Sequence, residues 1–191
     1  TPGALEGMLK SVYWKPAIAY VIDKIIVFHD IDYANIRRNE VKDKVLLSAV
    51  RGQMNGKDAD PSIYASESRS QRASMVLKNV KYGVEFHFEL TGLKSDTETD
   101  SEKKHYNIIK RRLEKGQWYR MPCLGCSEFP VRKMELVEEF DMNLISSRIL
   151  EMGDVDLGYM SYKVVFDDGG KPINGDWEHP KFSDKATTMY Y

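Results

Sequence analysis

Residues 81–90 alternate polar and apolar side chains, and no other stretch of the chain predicts a strand so clearly. One face of this strand is apolar, and the opposite face is polar: Tyr82, Val84, Phe86, Phe88 and Leu90 against Lys81, Gly83, Glu85, His87 and Glu89. A strand that buries one side suits an antiparallel sheet with helices on one face.

The remaining elements follow the order helix, strands, helix, strands. Thr1 and Pro2 form a good helix start, and that helix must end near Lys15 because Pro16 keeps the residue before it out of the helical region. Residues 41–72 predict a mobile loop that carries a short helix. The order predicts an α+β fold, with strands at residues 19–28, 33–37, 82–90, 118–121, 128–137 and 157–166, the last followed by a turn at residues 167–170.

The composition is that of an ordinary globular protein. With 191 residues, 42% hydrophobic and 30% charged, the chain predicts one domain with an appendage. It contains no apolar run near the roughly 20 residues of a membrane span, and no signal-peptide pattern. We therefore expect a cytoplasmic protein without a membrane contact.

The net charge of −1 hides a strong polarity along the chain. Residues 103–133 carry nine Lys and Arg against two acidic residues, a net of +7. Residues 134–191 carry five basic and twelve acidic residues, a net of −7. This pattern indicates a protein that binds nucleic acid on one face and protein on another, although a solvated helix beside an acidic surface explains it equally well.

The basic segment opens with a predicted helix over residues 102–115, which Gly116 ends. Its predicted buried stripe consists of Tyr106, Ile109 and Leu113, with His105 beside the stripe at the boundary with solvent. Other cations on this helix, together with two arginines earlier in the chain, are candidates for phosphate contacts: Arg37, Arg38, Lys103, Lys110, Arg111 and Arg112.

A histidine among cations is the arrangement that a metal-free RNA-cleaving site needs. RNA supplies its own nucleophile, so the protein has to supply only proton transfer and charge stabilisation. Neighbouring cations favour a neutral His105 that accepts a proton, and Lys104 supplies fixed positive charge. The alternative is an ordinary surface histidine in a basic helix.

Four aromatic residues near cations in the sequence have two possible roles, base stacking and core packing. Tyr13, Trp14, Trp118 and Tyr119 can stack on unpaired bases, but core packing is the favoured interpretation for Trp14 and Trp118.

Other catalytic and metal-binding patterns are missing from the sequence. It contains no phosphate-binding glycine loop, no G-x-S-x-G segment and no histidine pair with metal-ligand spacing. Cys123 and Cys126 form a single Cys-x-x-Cys, which a zinc or redox protein would use but which two ordinary thiols also explain. We predict neither a metal nor a cofactor.

Four segments in register resemble the Cas-five protein of subtype I-C (Dvulg) CRISPR systems. They are Tyr-Trp-Lys-Pro at 13–16, Ile-Arg-Arg-Asn-Glu-Val at 36–41, Lys-His-Tyr at 104–106 and Leu-Gly-Cys-Ser-Glu-Phe at 124–129. The resemblance implies a ferredoxin-like RAMP domain over residues 1–122, whose opening strand would precede Thr1, and a small β-rich C-terminal extension over residues 123–191.

The resemblance also implies a function. Members of that family cut CRISPR precursor RNA at the repeat hairpin and stay bound to the 5′ handle of the crRNA within a type I-C surveillance complex (Cascade). The family's catalytic tyrosine, lysine and histidine match Tyr13, Lys104 and His105. Implied partners are CRISPR repeat RNA, the other complex subunits and double-stranded DNA in the assembled complex.

Two points stay open at this stage. Either Tyr13 or His105 can assist deprotonation of the ribose 2′-hydroxyl. The rival function is a non-catalytic subunit that clamps the crRNA handle, which would not require the intact set of three side chains.

Overall fold

A computed structural model describes the chain except for residues 59, 95–99, 168–170, 179–180, 183–187 and 191. Its main elements, in chain order, are α1 Pro2–Val12, β1 Ile18–Val27, β2 Asp32–Val41, α2 Leu47–Met54, β3 Arg69–Lys78, β4 Tyr82–Leu90, α3 Glu102–Glu114, a 3-10 turn Met142–Leu144, α4 Ser147–Glu151, β5 Met160–Phe166, β6 Pro172–Glu178, β7 Lys181–Phe182 and β8 Thr188–Tyr190. All the strand pairs are antiparallel. The predicted α+β class with antiparallel sheets is confirmed.

The chain divides into two compact units. The first comprises Thr1–Asp30 and Val80–Tyr191, and the second comprises Ile31–Asn79. The second unit consists of α2 and a two-stranded ribbon of β2 and β3. The predicted division between residues 122 and 123 stays a prediction.

The main sheet of the first unit has the strand order β4-β1-β8-β7. Strands β1 and β4 pair along their whole length, from Ile18 opposite Leu90 to Val27 opposite Tyr82, with a register shift between Ile22 and Lys24. The predicted alternation in β4 is visible in its burial: Glu85, His87 and Glu89 are exposed, while Val84, Phe86 and Phe88 are half-buried. This sheet carries the predicted strands 19–28 and 82–90.

Helix α1 packs on β1, and the two elements together supply most of the buried apolar side chains of the described core. Pro2 occupies the first helical turn, where its missing N–H costs nothing, and the apolar residues that follow have helical spacing. Both the predicted helix and its end before Pro16 are confirmed. The buried apolar side chains of the two elements are Leu5, Met8, Leu9 and Val12 on α1, and Ile18, Tyr20, Ile25, Ile26 and Val27 on β1.

Two predicted strands are wrong. Residues 118–121 form no strand but contain bends at Tyr119 and Arg120, because the N–H groups of these two residues both donate to the carbonyl of Ser11 and not to a neighbouring strand. Residues 128–137 contain only an isolated bridge between Cys123 and Pro130, since proline has no N–H for a ladder.

Strand β3 was missed altogether, although the short helix within residues 41–72 is confirmed as α2. The ribbon leaves most of β3 exposed, so its sequence lacks the one-sided apolar pattern that identifies a half-buried strand. Strand β2 also continues to Val41, beyond the predicted end at residue 37. The predicted final strand begins later, at Met160, and most of the predicted turn at residues 167–170 lies outside the described residues.

In the described part of the chain, no helix combines the length and the apolar character needed to cross a bilayer.

Gly83 provides a test of the packing beneath β4. A Cβ atom at this position would lie 2.9 Å from Cε1 of Phe140 and 3.0 Å from Cε2 of Phe28. We expect Gly83→Ala to lower the free energy of unfolding by about 1–3 kcal/mol, because both rings must shift. Chemical denaturation measures the change.

The matched control is Gly7→Ala in α1, where an added Cβ meets nothing within 4 Å. Alanine lowers the backbone entropy of the unfolded chain, so this variant should be about 0.5–1 kcal/mol more stable. Equal stability of the two variants would contradict the packing described for Gly83.

Candidate active site

Helix α3 begins at a well-formed cap that positions Lys104 and His105. The side chain of Ser101 accepts a hydrogen bond from the Lys104 N–H at 3.3 Å, and Glu102 adds an acidic residue to the first turn. Both features stabilise a helix N-terminus. The predicted helix over residues 102–115 is confirmed at Glu102–Glu114.

Tyr13 lies at the C-terminal end of another helix, α1. Its N–H still donates to the Leu9 carbonyl, but its backbone is extended, with φ −152° and ψ 129°. The Tyr20 hydroxyl donates to the Tyr13 carbonyl at 2.8 Å, so β1 fixes the residue that leaves the helix.

The two elements meet at a buried pair of side chains. The Tyr13 hydroxyl lies 3.0 Å from Nδ1 of His105, although the two residues are 92 positions apart. His105 is 0% exposed and Tyr13 is 4% exposed. The structure therefore brings two of the three predicted catalytic side chains into direct contact.

The predicted position of His105 at the boundary with solvent is wrong, and so is the predicted burial of Tyr106. The buried row of α3 is His105, Ile109 and Leu113, whose members are four residues apart and so lie on one face. Tyr106 is 55% exposed. Tyr13 supplies the polar partner that lets this row begin with an imidazole.

Asp100 completes the cluster, and the sequence interpretation missed it. Its Oδ1 lies 3.2 Å from Nε2 of His105 and 3.5 Å from Nζ of Lys104. The distance from Nε2 to Asp100 is short enough for a polar contact, but no hydrogen bond with normal angles reaches this atom. A buried ring nitrogen needs a polar partner, and the Asp100 carboxylate is the polar group that lies next to Nε2. The sequence did contain one signal for this contact, since an acidic residue four positions before Lys104 can pair with it.

Arg112 packs on the other side of Tyr13. Its guanidinium donates to the Val12 carbonyl at 2.6 Å, and Cζ lies 5.2 Å from the centre of the Tyr13 ring. Burial raises the pKa of Tyr13, while the positive charges of Lys15, Lys104 and Arg112 oppose that rise and Asp100 adds to it. Tyr13 is therefore a protonated hydroxyl at neutral pH.

Comparison with known proteins identifies the family of the chain. The profile of the Cas5d family, described as CRISPR-associated protein (Cas_Cas5), matches residues 1–185. The chain belongs to the Cas5d family. The resemblance inferred from four short segments is thereby confirmed.

Two relatives in this family are named CRISPR pre-crRNA endoribonuclease Cas5d. The protein from Mannheimia succiniciproducens is 38% identical over 173 residues, which are 90% of this chain and 76% of the relative. The protein from Thermus thermophilus is 34% identical over 130 residues, which are 68% of this chain and 49% of the relative. The match to the Thermus protein thus spans about half the length of that relative.

Solved structures support the fold. A functionally uncharacterized protein from Streptococcus mutans, SMU1763c, aligns over 100% of this chain and 79% of its own, with a TM-score of 0.63 and 21% identity. The crystal structure of a CRISPR-associated protein aligns over 100% of this chain and 78% of its own, with a TM-score of 0.53 and 19% identity.

The structure gives the surroundings of the other cations of this Cas5d chain that were predicted to bind RNA. Lys103 and Lys110 line a groove of about 1120 Å³ between β4 and α3, whose lining residues include none of Tyr13, Lys104 and His105. Arg111 is exposed on α3. Arg37 and Arg38 belong to the second unit, on β2, opposite Ala73 and Arg72 of β3. Their roles in RNA binding stay predictions.

The core-packing interpretation of Trp14 and Trp118 is wrong. Trp14 is 54% exposed, Trp118 is 46% exposed and Tyr119 is 89% exposed. The backbone of Tyr119 is held to the last turn of α1 through the Ser11 carbonyl at 2.9 Å. Exposed aromatic rings therefore flank the chain segment that carries Tyr13.

The sequence left Cys123 and Cys126 open as a zinc or redox pair. Cys123 and Cys126 are free thiols. Within the described ranges, no three His, Cys, Asp or Glu side chains are grouped so as to hold a metal ion. His87 lies on the polar face of β4 as predicted, with Nδ1 2.8 Å from Asp23, and His179 falls outside the described residues.

Arg112 and Arg111 form a matched pair for testing the support of Tyr13. We expect Arg112→Ala to lower the free energy of unfolding by about 1–3 kcal/mol, because it removes a charged donor from the Val12 carbonyl and a cation from the Tyr13 ring. Arg111→Ala should stay within about 0.5 kcal/mol of the parent. Urea denaturation compares the two, and equal losses would refute the structural role of Arg112.

Proposed function

We propose that this chain is a metal-independent endoribonuclease that cleaves CRISPR precursor RNA at the repeat hairpin. The observation that carries the proposal is the contact between Tyr13 and His105 beside Lys104, in a chain whose Cas5d relatives are named pre-crRNA endoribonucleases. A phenol, an imidazole and an ammonium suffice for RNA cleavage by proton transfer and charge stabilisation.

In the proposed reaction, the RNA provides the attacking group. A ribose 2′-oxygen bonds to the adjacent phosphorus as its proton passes to the protein, and the bond from phosphorus to the 5′-oxygen breaks. The leaving oxygen takes up a proton. The products are a 2′,3′-cyclic phosphate and a free 5′-hydroxyl, so no external nucleophile is consumed.

The three side chains differ in their exposure to solvent. His105 is 0% exposed and lies behind Tyr13, which favours a His105 that acts through the Tyr13 hydroxyl and not directly on RNA. At 4% exposure Tyr13 is itself covered, so cleavage requires a movement that uncovers its hydroxyl.

Lys104 is the most accessible member of the set, with 28% of its side chain exposed. Its ammonium can stabilise the charge that develops on the phosphorane. Phosphate oxygens would compete with Asp100 for this ammonium. The exposed rings of Trp14 and Tyr119, which flank the segment that carries Tyr13, suit stacking on unpaired bases, and this fits recognition of single-stranded RNA next to a hairpin.

We further propose that the chain stays on the 5′ handle of the crRNA as a subunit of a type I-C surveillance complex. The acidic segment 134–191, with a net charge of −7, suits protein contacts more than RNA contacts. A contact with double-stranded DNA in the assembled complex is part of the same proposal, as is a cytoplasmic location.

The rival function is a non-catalytic clamp for the crRNA handle. The complete burial of His105 favours it, because a clamp needs the Tyr13–His105 contact only for structure. Cleavage by the purified chain distinguishes the two functions.

The decisive measurement is cleavage of repeat RNA from the same genome by variants of the set. We expect Lys104→Ala, His105→Ala and Tyr13→Phe each to lose about 10²–10⁴-fold in single-turnover rate, since each removes a proton-transfer or charge-stabilising group. RNA binding should be largely retained.

His87→Ala serves as the control, since this exposed histidine of β4 pairs with Asp23 of β1. Undiminished cutting by both the Lys104 and His105 variants would reject the site. Absence of cutting by the parent chain, with tight RNA binding, would favour the clamp.

Removal of divalent ions provides an independent test. We expect the rate in EDTA to equal the rate in Mg²⁺, because the proposed charge stabilisation comes from Lys104. Loss of activity in EDTA, with recovery on adding a divalent ion, would indicate a metal-dependent nuclease instead.

A further inference from the structure

The buried imidazole of His105 has a different neighbour at each ring nitrogen. Nδ1 lies 3.0 Å from the Tyr13 hydroxyl, and Nε2 lies 3.2 Å from Oδ1 of Asp100. The ring itself is fully enclosed, with Phe88 against it edge-on at 6.4 Å between ring centres. Water therefore does not substitute for either neighbour.

These neighbours select one tautomer of the ring. A carboxylate only accepts hydrogen bonds, so the nitrogen that faces Asp100 must carry the proton. Nδ1 then keeps its lone pair and accepts from the Tyr13 hydroxyl. The opposite tautomer would turn an unprotonated nitrogen towards an anion inside the protein, which is unfavourable.

The same oxygen of Asp100 also contacts Lys104. Nζ lies 3.5 Å from Oδ1, and Asp100 has only 11% of its side chain exposed, so water screens this contact weakly. Among the charged groups that act on the Tyr13 hydroxyl in the described part of the chain, Asp100 is the anion and Lys15, Lys104 and Arg112 are the cations. One carboxylate thus contacts two of the three side chains proposed for catalysis.

We propose that Asp100 is a positioning residue of this site: its carboxylate holds His105 in the Nε2–H tautomer, so that Nδ1 receives the Tyr13 proton, and it holds the Lys104 ammonium beside them. The inference rests on the proposed function for its catalytic consequence. The tautomer itself does not depend on any activity.

Nitrogen-15 NMR of the full chain measures the tautomer directly. Ring signals of His105 are identified by their loss in His105→Gln, and they should show a protonated Nε2 and an unprotonated Nδ1. In Asp100→Asn the side-chain amide can donate to Nε2, so the Nδ1–H form should appear. Glu102→Gln, which removes a nearby acid on the first turn of α3, should leave the His105 signals unchanged.

Cleavage of repeat RNA measures the consequence. Asp100→Asn should lower the single-turnover rate by about 10²-fold, because His105 in the wrong tautomer cannot accept the proton. Its RNA affinity should not fall, since an anion near Lys104 has been removed. Asp100→Glu should recover part of the rate, and Glu102→Gln should cut like the parent.

The outcomes separate this inference from the proposed function. An active parent with an unchanged rate and tautomer in Asp100→Asn would overturn the role of Asp100 and leave the endoribonuclease proposal intact. An inactive parent would refute the endoribonuclease proposal, while the NMR comparison would still decide the tautomer. If Asp100→Asn does not fold, an Nδ1–H signal in the parent overturns the inference, and an Nε2–H signal supports it.

Discussion

The contact between the Tyr13 hydroxyl and His105 joins the C-terminal end of α1 to the start of α3, and much of the first unit depends on it. A fully buried imidazole is costly unless both nitrogens have polar neighbours. Tyr13 therefore has to leave the helix at the right point, and Tyr20 on β1 and Arg112 on α3 secure it there. Three elements thus converge on one phenol, and its burial raises the pKa of Tyr13 despite the nearby cations Lys104 and Arg112.

The cluster has a buried part and an exposed part. Tyr13 and His105 are buried, whereas Trp14 and Tyr106, which follow them along the chain, are exposed. Lys104 belongs to both parts, since its ammonium reaches Asp100 while part of its side chain faces solvent. In the proposed function, the direct contact between Tyr13 and His105 would lower the reorganisation that proton transfer needs, once a movement uncovers the Tyr13 hydroxyl.

The sequence predicted those features that depend on local periodicity. The alternation in residues 82–90 identified β4, and the start at Thr1 and Pro2 identified α1. It did not predict β3, because this strand is mostly exposed and has no apolar face. Nor did it predict the bends at Tyr119 and Arg120, because their N–H groups donate to Ser11, about a hundred positions earlier.

For the candidate site, the sequence and the family resemblance together identified the three side chains, but not their surroundings. The helical stripe was placed one residue too far along because Tyr106 is more apolar than His105, and nothing local reveals that Tyr13, 92 positions away, accommodates the imidazole. Asp100 was missed although it lies four residues before Lys104, because this spacing does not show that its carboxylate also reaches the buried Nε2 of His105. The charge pattern did indicate the basic segment, but it could not separate Lys103 and Lys110, which line the groove, from Lys104 beside Asp100.

The pairing of β1 with β4 sets where residues 31–79 leave and rejoin the first unit. Val27 lies opposite Tyr82, and the Phe28 N–H donates to the Lys81 carbonyl, so the two ends of the intervening segment are held side by side. The entropy of closing a loop between two such fixed points grows only slowly with its length. The first unit, with its Tyr13–His105 contact, can therefore tolerate a shorter or longer intervening segment at a small cost in free energy.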